Sequence, residues 1–286
     1  MNKEYKLSGK SGNIILISPL LGPILLFVIC FIYAYVSVYN PIIYLSILVF
    51  VGLLLGMLAT LFLVVHVSKC RSVRSAIING TVLGLFTIYL SWCTFLYAML
   101  RHSDIPVKLF DLLLNPGQVL EWANTLSVKG YYSILDEPTA GGALWTIWFL
   151  EAFIILIAGI LGGKFTLHEK IFCEKCHTWA KDTEINLLLE VTSTEEVKTM
   201  IESDVNKLLN LEKYENSGDT HLKVNIHQCE KCKHSSTLDV DLISYEIDPK
   251  GKVKENKEDF SLVYEISQSQ LQRFQRKKQE PREATA

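Results

Sequence analysis

Four long, uninterrupted apolar stretches govern what this chain can fold into. They cover about residues 16–38, 42–67, 76–100 and 143–163. A helix rises about 1.5 Å per residue, so roughly 20 apolar residues cross the hydrocarbon core of a bilayer. A helix inside a soluble domain rarely stays apolar on every face for that length. Four membrane spans are therefore expected. The opening "MNKEYKLSGKSGN" followed by "IILISPLLGPILLFVICFIYAYVSV" has the charge order of a signal peptide. The apolar run is too long for an h-region, however, and no small-x-small cleavage site closes it, so it reads as a retained span.

Near Gly162-Gly163-Lys164 the composition changes. Leu, Ile, Val, Phe and Gly dominate before it; Lys, Glu, Asp and Asn dominate after it. At 286 residues there is room for two domains. The averages of 49% hydrophobic and 20% charged residues describe neither half. The expected architecture is a four-helix transmembrane bundle over 14–163, with an N-terminal segment 1–13, followed by a small soluble α+β zinc-ribbon-like domain over 164–266. The last segment, 267–286, reads as a basic polar tail without fixed structure. Net charge is −2, which gives no reason to expect a nucleic-acid partner.

Lys and Arg placement orients the spans. Lys3, Lys6 and Lys10 precede the first span, Lys69, Arg71 and Arg74 fill the gap between the second and third, and Lys164 follows the fourth. The connection "YNP" at the opposite surface carries no charge, and acids outnumber bases in the loop 101–142. Both termini are thus expected in the cytosol, with 101–142 outside, in a multi-pass protein of the plasma (inner) membrane. Tyr33, Tyr35, Tyr39, Tyr44, Trp145 and Trp148 gather toward the outer surface, as an interfacial aromatic belt does.

Gly52/Gly56, Gly80/Gly84 and Gly159/Gly163 place small residues four apart on three spans. Such pairs let helix backbones approach closely, within one bundle or between copies in a homo-oligomer. Glu151 falls near the middle of the fourth span, level with Ser91, Cys93 and Cys30. A carboxyl group in hydrocarbon is expensive and is a functional candidate by default. It serves either as a proton or cation relay or as an interhelical hydrogen bond, and the second reading is preferred because this bundle offers a single acid. Cys30 and Cys93 read as small packed residues. Asn79 and His66 sit close enough to the surface for water to satisfy them.

The loop 101–142 is too long to lack structure. "NPGQVLEWANTL" places Asn115 as N-cap and Pro116 at the first helical position, with Gly130 at the C-terminal turn. Val119, Leu120, Trp122, Ala123 and Leu126 form a stripe suited to the bilayer surface or to covering the bundle.

The polar half repeats the letters CEKC in "IFCEKCHTWAK" and "IHQCEKCKHSS". Structural disulfides are uncommon in a reducing compartment. Two Cys-x-x-Cys turns together offer four thiolates, so Cys173, Cys176, Cys229 and Cys232 form a candidate structural zinc site. The insert 177–228 is longer than in common ribbons, and His177 and Lys233 stand where a knuckle often has Gly. Single iron, a dithiol redox site and metal-free thiols stay open beside zinc, with His177, His227 and His234 as substitute ligands.

Around these pairs, "HLKVNIHQC" and "TLDVDLISYEI" alternate as half-buried strands, "FSLVYEI" adds an edge, and "DPKGK" makes a turn. "STEEVKTMIESDVNKLLNLEKY" reads as one amphipathic helix. Ser193 and Glu196 form its capping box, and Val197, Ile201, Val205, Leu208 and Leu209 line one face. In the tail, Arg273, Arg276, Lys277 and Lys278 offer contacts to anionic headgroups.

With "LLLNPGQVLEWANTLSVKGYYSI", "LWTIWFLEAFIILI" and "FCEKCHTWA" in view, the chain resembles a group of bacterial four-span integral membrane proteins. These carry a C-terminal zinc-ribbon-like four-cysteine module. The resemblance implies metal at the four cysteines and no assigned activity. No P-loop, dinucleotide glycine signature, Gly-x-Ser-x-Gly or His-Glu-x-x-His motif is present. The sequence is therefore expected to encode a non-enzymatic adaptor in the lipid bilayer, presenting a cytosolic surface to a protein partner. The alternatives are an oligomeric transporter or channel component with Glu151 in its pathway, and, more weakly, a thiol oxidoreductase.

Overall fold

The computed structural model describes residues 4–39, 43–130, 132–134, 137–168, 170–191, 194–213, 220–233, 236–247 and 253–279. Ser193, His234, the "DPKGK" turn and most of the "YNP" connection lie outside the described residues, as do the side chains of Tyr44 and Glu196. The chain divides into two compact units. One is Ser8–His168; the other joins Met1–Leu7 to Glu169–Ala286.

Four long helices make the first unit: α1 (Ile14–Tyr39), α2 (Ile43–Val67), α3 (Val73–His102) and, after the loop elements, α6 (Gly142–Phe165). All four are long and apolar enough to cross a membrane, and they define a multi-pass membrane protein. α1, α3 and α6 exceed their expected spans at both ends, and α2 matches its own to within a residue. α3 is the hub. Of its most apolar window 56% is buried, against 22–28% for the other three, so it meets more protein than they do and can carry polar groups on its buried face. Thr94 Oγ1 donates to the Cys30 carbonyl on α1 at 3.1 Å, and Ser18 of α1 is hydrogen-bonded to Asn79 of α3. Asn79 is thus buried, its carboxamide oxygen accepting from Ser18, rather than lying at the surface within reach of water as expected. Outward, Leu16, Ile47, Leu85, Phe149 and Phe153 are each more than half exposed. So wide an apolar exterior matches hydrocarbon, not water.

The glycine pairs are not equivalent. A Cβ added to Gly80 would collide with the Gly159 carbonyl oxygen, and one on Gly159 with that of Gly80. Gly163 meets the α3 backbone at Ala76 in the same way. Direct backbone contact between α3 and α6 therefore requires glycine. Gly56 touches only the Ile29 side chain, and Gly52 faces open space.

The loop between α3 and α6 folds into α4 (Leu109–Leu114), α5 (Pro116–Lys129) and a hairpin of β1 (Tyr132–Ile134) and β2 (Glu137–Thr139). Pro116 opens α5 as expected. Asn115 does not cap it with its side chain, whose Nδ2 turns back to the Asp111 carbonyl at 2.8 Å. Val119, Ala123 and Leu126 are buried in one cluster with Leu96, Leu144 and Trp148 of the spans. α5 is therefore a cover on the bundle, while Leu120 stays 56% exposed. Trp148 is likewise a core residue rather than part of an interfacial belt. It is 5% exposed, edge-on to Trp92 at 4.7 Å and to Trp145 at 5.3 Å.

The second unit is α+β. A two-strand hairpin, β3 (Phe172–Cys173) with β4 (Thr178–Trp179), leads into an antiparallel meander of β5 (Lys181–Glu190), β6 (Thr220–Gln228), β7 (Ser236–Ile247) and β8 (Val253–Ile266). Leu222 pairs with Leu242, Val224 with Val240 and Ile226 with Leu238, so the alternating apolar residues share one face. All six are 0% exposed, and burying each contributes about 1.5–3 kcal/mol. His221, His227, Asp239 and Asp241 occupy the other face, also buried.

The helix expected in the insert breaks in two. α7 (Thr194–Ser203) is followed by a 3-10 turn over Val205–Asn210, and between them the Asp204 carboxylate accepts the Asn206 amide at 2.9 Å. This local side-chain bond competes with a continuing helix. Val197, Ile201, Val205 and Leu208 are buried regardless.

The tail is not unstructured through residue 279. It forms α8 (Gln268–Gln279), with Leu271 and Phe274 in the same core. Ser267 and Gln270 make a reciprocal capping box: the Ser267 amide donates to Gln270 Oε1 at 2.8 Å, and the Gln270 amide to Ser267 Oγ at 3.3 Å. Arg273, Arg276 and Lys278 point to solvent.

Candidate metal centre

The order of the strands explains how two distant thiol pairs meet. β5 leaves the first pair, β6 returns antiparallel to it, and Lys181 pairs with Gln228. The start of β5 and the end of β6 therefore lie side by side at one end of the sheet. The whole insert 177–228 is an excursion out along β5 and back along β6, so its length does not oppose closure.

Each pair occupies a tight hairpin turn. Cys173 ends β3 and Thr178 opens β4 opposite it. Cys229 follows β6, and the Lys233 amide donates to the Cys229 carbonyl at 2.9 Å. His177 has φ 51° and Lys233 φ 53°. These are the two positions where glycine was missing from the pattern. Both residues adopt the left-handed conformation that glycine would take freely. The departures in sequence are not departures in shape.

The four sulfurs lie within 4.8 Å of one another, and Cys173 Sγ is 3.8 Å from Cys232 Sγ. A Zn–S bond of about 2.3 Å sets the edges of a tetrahedron at about 3.8 Å. All four are free thiols. Cys173 and Cys229 are buried; Cys176 and Cys232 are half-buried. The hydrogen bond shared with Cys232, followed by burial, pushes the Cys176 thiol up to about 12. Burial is the main cause raising Cys173, opposed by the Cys176 backbone N–H directed at its sulfur. Thiols this crowded hold their protons unless a cation replaces them, and a coordinated divalent metal does so. The donor set fits such an ion, and no histidine belongs to the cluster among the described residues.

A support for this site was missed in sequence. The Phe172 amide donates to the Tyr5 hydroxyl at 2.8 Å, and that hydroxyl lies 3.3 Å from the Phe172 carbonyl. Glu4 bridges Tyr264 on β8, and the Tyr5 amide donates to the Val263 carbonyl at 2.8 Å. The N-terminal segment thus ties the first knuckle to the far edge of the sheet. Phe172 and Trp179 stack edge-on at 5.0 Å beneath the turn. A lone Tyr in a charged leader gives no periodic signal from which this could be read.

Within the bundle, Cys30 and Cys93 are buried, and their thiols face different carbonyls, Thr87 at 3.9 Å and Leu112 at 3.7 Å. Glu151 is half-buried and lines a cavity with Tyr33 and Ser91. It makes none of the interhelical hydrogen bonds expected of it among the described residues. No family model, curated protein or solved structure matches the chain.

Proposed function

We propose that this protein is a non-enzymatic membrane-anchored adaptor. The four-helix bundle fixes it in the plasma (inner) membrane, and the four-cysteine unit binds one structural zinc and presents a cytosolic surface to a protein partner. The observation that carries this reading is the gathering of four thiols within 4.8 Å of one another, a spacing that suits a tetrahedral metal. Four protein sulfurs fill every position around a zinc-sized centre, which leaves no place for water or substrate. Convergence of both pairs on one point also favours a single ion over two separate dithiols. The cytosolic setting rests on the Lys and Arg asymmetry. The meeting of Tyr5 and Phe172 in one unit agrees with an even number of spans, which puts both ends at the same membrane face.

The test begins with the full-length protein purified from native membranes. About one zinc per chain is expected, with none of the four thiols open to alkylation until the metal is chelated. Crosslinking before solubilisation should yield a defined partner that is lost in Cys173→Ser. Less than about half an equivalent of metal with four reactive thiols would remove the zinc reading. Reaction with a non-permeant maleimide from outside intact cells would invert the topology.

A further inference from the structure

The loop between α3 and α6 does not stand clear of the bundle, and contacts fix its depth. Gly80 opposes Gly159, and Ala76 opposes Gly163. Carried along the two antiparallel helices, this register sets Tyr97 level with Gly142, Cys93 with Thr146 and Tyr89 with Leu150. The chain leaves α3 at His102, above the start of α6, and then descends. The Tyr89 hydroxyl donates to the carbonyls of Leu112 and Leu113 at 3.1 and 3.0 Å, and the Cys93 thiol faces the Leu112 carbonyl at 3.7 Å. From Pro116 α5 climbs back, and near its far end the Gly141 amide donates to the Ser127 carbonyl at 2.7 Å. Residues 103–130 therefore trace a re-entrant hairpin with its tip at 114–116.

The spans place that tip in hydrocarbon. Lys164 lies in the last turn of α6, and counted back from it a core of about 20 residues reaches Leu144. The level of Tyr89 and Leu150 is about 9 Å inside that limit. Two features suit the tip to such a depth. Backbone there has to be satisfied by protein. The Asp111 carbonyl accepts from the Asn115 amide at 3.1 Å and from Asn115 Nδ2 at 2.8 Å. The Leu112 and Leu113 carbonyls are met by Tyr89, and the Asn115 carbonyl accepts from the Gln118 and Val119 amides at 3.0 and 3.3 Å. A loop standing in water would draw such partners from solvent. The second feature is the outward side chains. Phe110 and Leu114, one turn apart on α4, are 74% and 75% exposed. Pro116 and Leu120 wall one groove with Leu85 of α3 and Phe149 of α6. Leu85, Leu120 and Phe149 are each more than half exposed, so the tip continues the lipid-facing surface of the spans. Asp111 and Glu121 are exposed as well. A carboxylate is costly in hydrocarbon, and these two hold the insertion shallow.

We propose that residues 109–120 are seated in the bilayer leaflet at the Gly142 end of the spans, with Phe110, Leu114 and Leu120 among its acyl chains and Asp111 and Glu121 turned toward its headgroups. The placement depends neither on the metal centre nor on which membrane face is cytosolic.

The test uses the full-length protein in phosphatidylcholine nanodiscs, with a photoreactive benzophenone side chain placed at one position at a time. At position 114 it should form acyl-chain adducts on a par with position 149 and about tenfold above position 129, the ratio that burying one Leu side chain gives. Leu114→Asp adds an acid at the tip. With the reporter moved to position 110, it should cut lipid adducts about tenfold while the amides of α3 and α6 keep their protection from exchange. Adducts at position 114 no more frequent than at position 129 would overturn the proposal. So would adducts to a second copy of the chain in place of lipid, or adducts at position 110 that Leu114→Asp leaves unchanged.

Discussion

The bundle and the sheet unit place the same kinds of residue in opposite positions. In the sheet unit Leu222, Val224 and Phe274 are fully buried, while Arg273 and Arg276 meet water. In the bundle Leu16, Phe149 and Phe153 face outward, and Thr87, Thr94, Ser91 and Asn79 lie inside. The solvent is the reason. Water expels hydrocarbon, so the sheet gains stability by hiding its apolar face. Lipid does not expel it, so the helices gain little by hiding leucine and are held by close backbone packing and interior hydrogen bonds. Glycine at the α3–α6 contact and cysteine at the end of the sheet are therefore the points where each unit is most vulnerable.

The contrast can be broken most severely at the metal. In Cys173→Ser/Cys229→Ser the sheet unit should lose its fold, since structural zinc contributes about 10–16 kcal/mol in small zinc domains. Hydrogen exchange should show β5–β7 amides unprotected while α3 and α6 keep their protection. A sheet that stays protected would mean the thiols do not hold it.

Phe274→Ala should destabilise the same unit by about 3–5 kcal/mol, read as faster exchange in α8 and β6 with the bundle unchanged. Gly80→Leu tests the other half. It should destabilise the bundle by about 1–3 kcal/mol, lowering its thermal midpoint without altering metal content. A metal loss there would couple the units and blur the contrast.

Tyr5→Phe removes the clasp on the knuckle and should weaken the sheet unit by about 0.5–1.5 kcal/mol, with faster exchange at the Phe172 amide. The smallest effect has the opposite sign. His177→Gly and Lys233→Gly relieve left-handed strain and should each stabilise the metal-loaded unit by about 0.5–1 kcal/mol, measured as a rise in its melting temperature.

Much of this was legible before any coordinates, and the parts that were not share a cause. The spans emerged to within a few residues because hydrophobic length is a local quantity. The β6 and β7 faces emerged because alternation has a period of two. The tail misled because its composition is polar, although Leu271 and Phe274 three residues apart, with Ser267 and Gln270 before them, were a helix signal of ordinary strength. Glu151 misled differently. An acid at that depth was expected to find a partner on another helix, and it lines a cavity instead, a matter of how whole helices are rotated against one another that one segment's sequence does not fix.

By itself the sequence determined where the chain crosses lipid, which strand residues turn inward, and which four sulfurs are available to one ion. Each follows from spacing along a single segment. Only the tertiary structure decided that the two thiol pairs meet despite the long insert, that Tyr5 braces Phe172, that Gly80 opposes Gly159 while Gly52 opposes nothing, and that Glu151 lines a cavity with Tyr33 and Ser91. Those are pairings between residues far apart in the chain, settled by packing of whole elements, and no local pattern encodes them.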